Sequence, residues 1–220
     1  MIKDTKNEIE SFLAGLTSPI FNAAEQEELE RTAQRRAQDR AETAGMAVSG
    51  VPLRHLNQTA LENDLWHTKF DSVKARLGEG FIVSLIGPRG TGKTQMAASL
   101  ARLVCRAGRS ARYATAMGIF LELQETFDGG KKSNRLVIDE YTKPSLLIID
   151  EMHERGDTSW EDRVLTHLID RRYGNLRDTI LISNQTKDQM LAALGSSVAS
   201  RLSETGGIVT CDWKSFRAKK

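Results

Sequence analysis

The sequence predicts an α/β fold in which a parallel sheet is flanked by helices and preceded by a helical N-terminal arm. Three observations predict it. From about Val51 onward, short apolar strand signals alternate with helical periodicities, the pattern of a parallel sheet with crossover helices. Residues 146–149 are apolar at every position, as a central strand buried on both faces requires. A glycine-rich octapeptide, residues 87–94, lies between an apolar strand and a helix.

Taken in order, residues 5–16 place Ile9, Phe12, Leu13 and Leu16 at helical spacing, and Thr5 with Glu8 fits a capping box. That narrow apolar stripe either packs on its own domain or docks a partner; the residues alone leave both readings open. Residues 22–44 hold almost no large apolar side chain apart from Leu29, while Glu27 and Arg31 form a favourable i,i+4 pair. This stretch reads as a solvent-exposed connector helix, with residues 45–52 as a hinge. The chain thus divides into an arm and linker for partner docking, residues 1–50, and a nucleotide-binding domain, residues 51–220. Within the latter, strands are expected at 81–86, 111–116, 146–149, 179–183 and 208–211. Helices are expected from the glycine-rich turn to about Ala107, then at 119–127, 160–173 and 188–194.

Composition removes several classes. The 220 residues carry 31 Lys+Arg and 29 Asp+Glu, a formal charge of +2, so no global excess of positive charge argues for nucleic acid. Hydrophobic residues make up 40%, enough for a packed core. No run of about 18–20 apolar residues exists, which argues against a membrane span and a secretory signal. Cys105 and Cys211 lack CxxC spacing and read as buried thiols of a reduced, cytoplasmic protein rather than zinc ligands. His55, His67, His153 and His167 show no ligand spacing and read as structural, and Trp66, Trp160 and Trp213 as core or interface anchors.

Gly87-Pro88-Arg89-Gly90-Thr91-Gly92-Lys93-Thr94 matches the phosphate-loop pattern GxxxxGK[ST] at every position. Glycines let backbone N–H groups converge on phosphate oxygens, and the following helix adds its positive N-terminus. Lys93 would meet the outer phosphates of ATP, and Thr94 would offer its hydroxyl to Mg²⁺. Asp150, at the carboxyl end of the apolar strand, would be the second Mg²⁺ group. Glu151 is suited to polarise a water for attack on the γ-phosphate, which favours hydrolysis over transfer to a metabolite. Asn184, just past the 179–183 strand, could orient that water or touch the γ-phosphate. The expectation is a P-loop NTPase with Mg²⁺-dependent ATP hydrolysis.

These residues resemble the DnaC/IstB group of AAA+ ATPases, over roughly residues 50–217. Beyond the phosphate loop, the likeness is carried by Ser49-Gly50-Val51-Pro52-Leu53-Arg54 with residues 59–63, by Leu168-Ile169-Asp170-Arg171-Arg172, by Leu194-Gly195 through Ser200-Arg201-Leu202, and by Asp212-Trp213-Lys214-Ser215-Phe216-Arg217. The resemblance implies an AAA+/RecA-like sheet; the little chain left after the last expected strand leads to the expectation of a reduced or absent C-terminal lid. It also implies that Arg201 is an arginine finger completing a neighbour's ATP site, so that subunits associate through that site. Asn184 would be the first sensor, and Arg217 a late arginine sensing nucleotide in its own subunit. The chain departs from the group at Gly195-Ser196-Ser197, where relatives commonly carry Gly-Glu-Arg, which leaves a second interfacial arginine in doubt.

Two basic groupings invite a nucleic-acid reading. Arg102, Arg106 and Arg109 fall on one helix face, with Arg112 beyond. Lys131, Lys132 and Arg135 cluster in a loop near Phe127 and Tyr141, a mix suited to single-stranded DNA. Either set is also what an ordinary solvated surface looks like. The reading that follows from the resemblance is a loader: the arm grips a hexameric replicative DNA helicase, and the ATPase controls its placement on single-stranded DNA. The alternatives are an IstB-like helper acting with a transposase on target DNA and, less well supported, a P-loop small-molecule kinase.

Overall fold

The computed structural model describes residues 22–57, 61–127, 132–156 and 158–217. Ile9, Phe12, Leu13 and Leu16, together with Thr59 and Lys131, lie outside the described residues. The chain divides into two units, Met1–Asp39 and Arg40–Lys220. What is described of the first is the opening part of helix α1 (Ala23–Val48). Asn22 and Glu25 cap it reciprocally, the Asn22 side chain accepting from Glu25 N–H at 3.0 Å and the Glu25 carboxylate from Asn22 N–H at 2.8 Å. The expected Glu27–Arg31 pair is present at 2.6 Å, and both side chains are largely exposed. Leu29 is exposed as well. This part of α1 is the solvated helix that its composition indicates.

In the second unit the expected hinge at 45–52 is corrected. α1 runs on to Val48 because Gly45 permits close packing: a Cβ there would sit 2.7 Å from Cys105 Sγ. Met46, Ser49 and Val51 are buried, and Ser49 C=O accepts from Tyr113 N–H at 2.7 Å. The segment is therefore part of the folded domain. A short helix α2 (Leu53–Leu56) and α3 (Asp64–Lys74) follow, and α3 was not anticipated from periodicity.

The sheet comprises β1 (Ile82–Ile86), β2 (Ala111–Thr115), β3 (Leu146–Asp150), β4 (Asp178–Ser183) and β5 (Gly207–Thr210). Its spatial order is β2-β3-β4-β1-β5, and every pairing is parallel. All five expected strands are found, each displaced by no more than a residue or two. The connecting helices are α4 (Lys93–Arg106), α5 (Ala116–Glu125), α6 (Asn134–Thr142), α7 (Ser159–Gly174) and α8 (Lys187–Thr205). α6 replaces the loop expected around Arg135; Ser133 starts it by accepting from Leu136 N–H. α8 extends well past the expected end at residue 194. Capped by Thr186 and Gln189, it breaks direction at Gly195 (φ 71°, ψ 163°) and resumes.

Strand alternation sorts the core into two layers. Val83, Leu85, Leu146, Ile148, Ile180 and Ile182 face one cluster with Trp66, Met96, Leu100 and Val104. Ile82, Ile86, Leu147, Ile149 and Leu181 face the other, with Phe120, Leu165, Leu168 and Val198. Among the described residues no helix is long and apolar enough to cross a membrane.

At the amino-terminal edge of the sheet, Arg172 is fully buried. It donates to Thr179 Oγ1 at 2.9 Å and to the carbonyls of Tyr141 at 2.9 Å and Pro144 at 3.0 Å, and also to Asp178 C=O. The Asp178 carboxylate in turn accepts from Gly78 N–H at 2.6 Å and Gly80 N–H at 2.9 Å. This network ties the ends of α6 and α7 to the starts of β1, β3 and β4. Arg172→Met is expected to lower the unfolding free energy by about 3–5 kcal/mol, because buried carbonyls lose their donor. A urea titration would show it as a lower midpoint at unchanged slope; an unchanged midpoint would remove Arg172 from this role.

Candidate nucleotide-binding site

Since all strands point the same way, β1, β3 and β4 deliver their carboxyl ends to one edge, where ligands bind in open α/β sheets. A cavity of about 480 Å³ opens there. From β1 the chain enters the phosphate loop. Gly87 (φ 134°) lies against the Cys211 carbonyl, which a side chain at that position would strike. Gly90 (φ 85°) and Gly92 (φ 80°) likewise adopt left-handed conformations, and α4 starts from Gly92. Thr91 Oγ1 donates to Pro88 C=O at 3.0 Å, and Lys93 Nζ donates to the carbonyls of Gly87 at 2.6 Å and Pro88 at 2.8 Å. The Lys93 ammonium is held low in pKa mainly by burial, against the opposing pull of Cys211 and Asp150.

Asp150 closes the strand β3 and sits at the centre of a converging set of donors. Its Oδ2 accepts from Thr94 Oγ1 at 2.8 Å and from Tyr113 Oη at 3.0 Å. Its Oδ1 accepts from Glu151 N–H at 2.7 Å. Thr94 and Asp150 thus put a hydroxyl and a carboxylate side by side, the hard oxygen donors that Mg²⁺ takes alongside phosphate oxygens. The donor set fits that ion. Tyr113 was not foreseen; its only signal is its place in β2, opposite Ile148 of β3. Burial, and next the Asp150 charge, push its hydroxyl well above the usual tyrosine range, so it remains a donor.

Glu151 has a left-handed backbone (φ 56°, ψ 40°), unusual for a residue with a side chain, and it lines the cavity. Its carboxyl is raised in pKa, first by burial and then by Glu154 and Asp150. Asn184 lines the same cavity, with Nδ2 3.3 Å from His153 Nε2. His153, read from its spacing as structural, therefore stands beside the site. His55 also lines the cavity, its Nδ1 meeting Gln95 Oε1 at 2.9 Å. Arg54 and Glu154 are further lining residues that sequence reasoning missed. Arg89 is exposed and lies 3.8 Å from Glu154, while Arg217 lines the cavity beside the phosphate loop. The structure thus assembles the phosphate loop, Asp150, Glu151, Asn184 and Arg217 around one space.

Arg201 does not line that space. Its guanidinium is 3.1 Å from Asp170, donates to Ser197 Oγ at 2.6 Å and lies over the Tyr173 ring at 5.4 Å. Several of the basic candidates have acidic neighbours. Arg102 and Arg106 each pair with Glu42 at 3.3 Å, so two of the three stripe residues face a carboxylate of α1. Lys132 pairs with Glu122 at 2.9 Å and Glu140 at 2.8 Å, and Arg112 with Glu140 at 3.7 Å. Three acids, Glu42, Glu122 and Glu140, thus face four of these cations. Arg135 is exposed, whereas Arg109 is half-buried and lies past the end of α4 and so off the expected helix face. Cys105 and Cys211 are buried free thiols, as expected.

Residues 78–220 match the family model described as IstB-like ATP binding protein. The replicative helicase loader DnaC of Escherichia coli (strain K12) is 27% identical over 144 residues, which cover 64% of this chain and 59% of that protein. The chain therefore spans less than two thirds of that relative's length. The fold is that of AAA+ P-loop proteins. A crystal structure of the DnaC helicase loader superposes with a TM-score of 0.62 at 19% identity, covering 72% of this chain and 99% of that one. AMPPCP-bound DnaA from Aquifex aeolicus gives 0.60 at 19% identity, covering 73% of this chain and 51% of that one.

The crowding of Glu151 has a measurable consequence. A carboxyl whose pKa is higher folded than unfolded penalises the folded state above both values, and the penalty vanishes as pH falls through them. Glu151→Gln is therefore expected to raise the melting temperature at pH 7.5, with the difference closing as pH falls into the ordinary carboxylate range. A variant less stable than wild type at pH 7.5 would contradict the direction assigned to Glu151.

Proposed function

The chain belongs to the IstB-like ATP binding protein family, and on that premise we propose that it is a Mg²⁺-dependent ATPase that loads a replicative DNA helicase onto single-stranded DNA. The observation that carries this reading is the convergence of Lys93, Thr94, Asp150, Glu151 and Asn184 on one cavity, in a chain whose curated relative is named a replicative helicase loader. ATP binding follows from the family; hydrolysis, the metal and the partners are the proposal.

In this reading the loop N–H groups and Lys93 bind the outer phosphates. Thr94 and Asp150 hold Mg²⁺, with Tyr113 and Glu151 N–H orienting the Asp150 carboxylate. When bound there, the ion would supply positive charge to the phosphate oxygens. Glu151 takes the proton of the attacking water, a role favoured by a carboxyl raised in pKa. Asn184 positions that water and is itself steadied by His153. Arg201, displaced from its own cavity and kept in place by Asp170 and Ser197, serves a neighbouring subunit, so the active species is a self-associated one. Arg217 senses nucleotide in its own subunit.

The arm is proposed to meet the helicase through Ile9, Phe12, Leu13 and Leu16, with the unit from Arg40 onward as the ATPase. DNA contact falls to Arg109, Arg135 and Lys131 more than to Arg102, Arg106 or Lys132, which already face Glu42, Glu122 or Glu140. The proposed setting is the cytoplasm.

Glu151→Gln is expected to bind ATP while hydrolysing it about 10²–10⁴ times more slowly, the usual contribution of a general base. Full turnover in that variant would take Glu151 out of the mechanism. The partner is tested by capture of a hexameric helicase from the same host or replicon, with and without residues 1–18. Capture that depends on those residues, with strand binding that weakens as salt rises, is the expected result. ATP-dependent filaments on duplex DNA without helicase capture would shift the reading to the transposition helper. Turnover that needs a metabolite and ignores DNA would make the chain a kinase.

A further inference from the structure

Three consecutive carbonyls of the phosphate loop are each held by a donor from outside the loop. Phe216 N–H donates to Gly90 C=O at 2.9 Å. Trp213 Nε1 donates to Thr91 C=O at 2.9 Å, and Trp66 Nε1 to Gly92 C=O at 3.2 Å. Both indoles are buried, Trp66 to 1% and Trp213 to 8% exposure. They arrive from opposite ends of the domain's sequence. Trp66 belongs to α3 and stacks on Phe70, with centroids 5.2 Å apart and planes 7° from parallel. Trp213 follows β5 and sits in the same apolar cluster as Trp66.

The direction of these bonds matters more than their number. A peptide unit is planar, and no cis bond occurs among the described residues, so each carbonyl points opposite the N–H of the next residue. Turning the carbonyls of Gly90, Thr91 and Gly92 toward the two indoles and Phe216 sends the N–H groups of Thr91, Gly92 and Lys93 the other way. Gly90, Gly92 and Lys93 line the cavity, where such N–H groups would meet phosphate oxygens. Gly92 C=O also accepts from Met96 N–H at 2.8 Å, the first bond of α4, so Trp66 reinforces a plane the helix already sets; at Gly90 and Thr91 the brace holds planes that would otherwise rotate, and a carbonyl facing a phosphate repels it. Anion affinity depends on donors that are already aimed before the anion arrives.

We propose that Trp66 and Trp213 are positioning residues for triphosphate binding, their indole N–H groups holding the phosphate loop with its donors turned into the cavity. The inference rests on reading residues 87–94 as a phosphate loop. It adds that α3 and the segment after β5 are mechanically part of the nucleotide site, and that two of the chain's three tryptophans lie where they sense its occupancy. Trp160 packs against Phe120 and Phe127 in the opposite layer, away from the loop, and is the internal control.

The test uses the full chain, labelled ATP with Mg²⁺ in equilibrium dialysis, and tryptophan emission. Trp66→Phe and Trp213→Phe keep a ring but remove the N–H. Trp213→Phe is expected to raise the Kd for ATP by about three- to tenfold, the worth of one net hydrogen bond, and Trp66→Phe to raise it by less, because Met96 N–H still holds Gly92 C=O. Trp160→Phe is expected to leave it unchanged. In the Trp160→Phe chain, where only the two bracing indoles emit, ATP is expected to change the emission; in the Trp66→Phe/Trp213→Phe chain it is expected to change nothing. This second measurement decides the matter even if a loop-side variant folds poorly, because Trp160→Phe leaves the brace intact. Unchanged affinity in both loop-side variants, or an emission change carried by Trp160 alone, would overturn the proposal. A wild-type chain that takes up no ATP would instead bring down the phosphate-loop reading, and the brace with it.

Discussion

Five strands running in one direction impose a single constraint from which the rest of this molecule follows: their carboxyl ends share an edge, and their amino ends share the opposite one. At the carboxyl edge the chain must turn from β1 into α4 and from β3 into the Met152–Glu154 turn, and it leaves β4 at Asn184. Those three exits carry the phosphate loop, Asp150 with Glu151, and Asn184. Residues nearly one hundred positions apart meet because parallel pairing holds β1 against β4 in register from Ile82↔Thr179 to Ile86↔Ser183. At the amino edge the same constraint leaves strand starts and helix ends without partners of their own. Arg172 and Asp178 satisfy them, one as donor to carbonyls and the other as acceptor from N–H groups. The two edges thus divide the work, one rigidly saturated and one with donors and acceptors directed into a cavity.

The carboxyl edge is stabilised by being over-determined. Asp150 accepts from three groups on three segments, α4, β2 and its own chain neighbour, so its carboxylate is held in one orientation. The left-handed backbone at Glu151 is affordable only in such a setting, since an unsupported side-chain-bearing residue there would relax. The loop opposite is held by the same logic, with the carbonyls of Gly87, Pro88, Gly90, Thr91 and Gly92 engaged by Lys93, Thr91, Phe216 and the two indoles.

Charge tells a different story. A net +2 arises from 31 basic and 29 acidic side chains, and the structure shows how they cancel: Glu42 faces Arg102 and Arg106, and Glu122 and Glu140 face Lys132. The basic stripe on α4 is a docking surface for the end of α1. This is also why residues 45–52 are no hinge: Gly45 brings α1 down onto Cys105, and Glu42 anchors the turn before it.

By itself the sequence determined the class of fold, the five strands and the phosphate loop with its acidic and amide partners, because each is written locally, in apolar alternation or in a contiguous motif. It determined the exposed character of α1 up to its last turns for the same reason. What only the tertiary structure decided is whatever depends on groups distant in the chain. Tyr113 on Asp150, His153 beside Asn184, Arg54 and His55 at the cavity, and the tryptophans on the loop have no local signal, since a hydrogen bond across the sheet leaves no periodicity. The extension of α8 past Gly195 and the formation of α6 likewise rest on packing against the second core layer, which outweighs a glycine break and a weak pattern. Composition supplied the charges, and only the packed chain could say which of them were already answered.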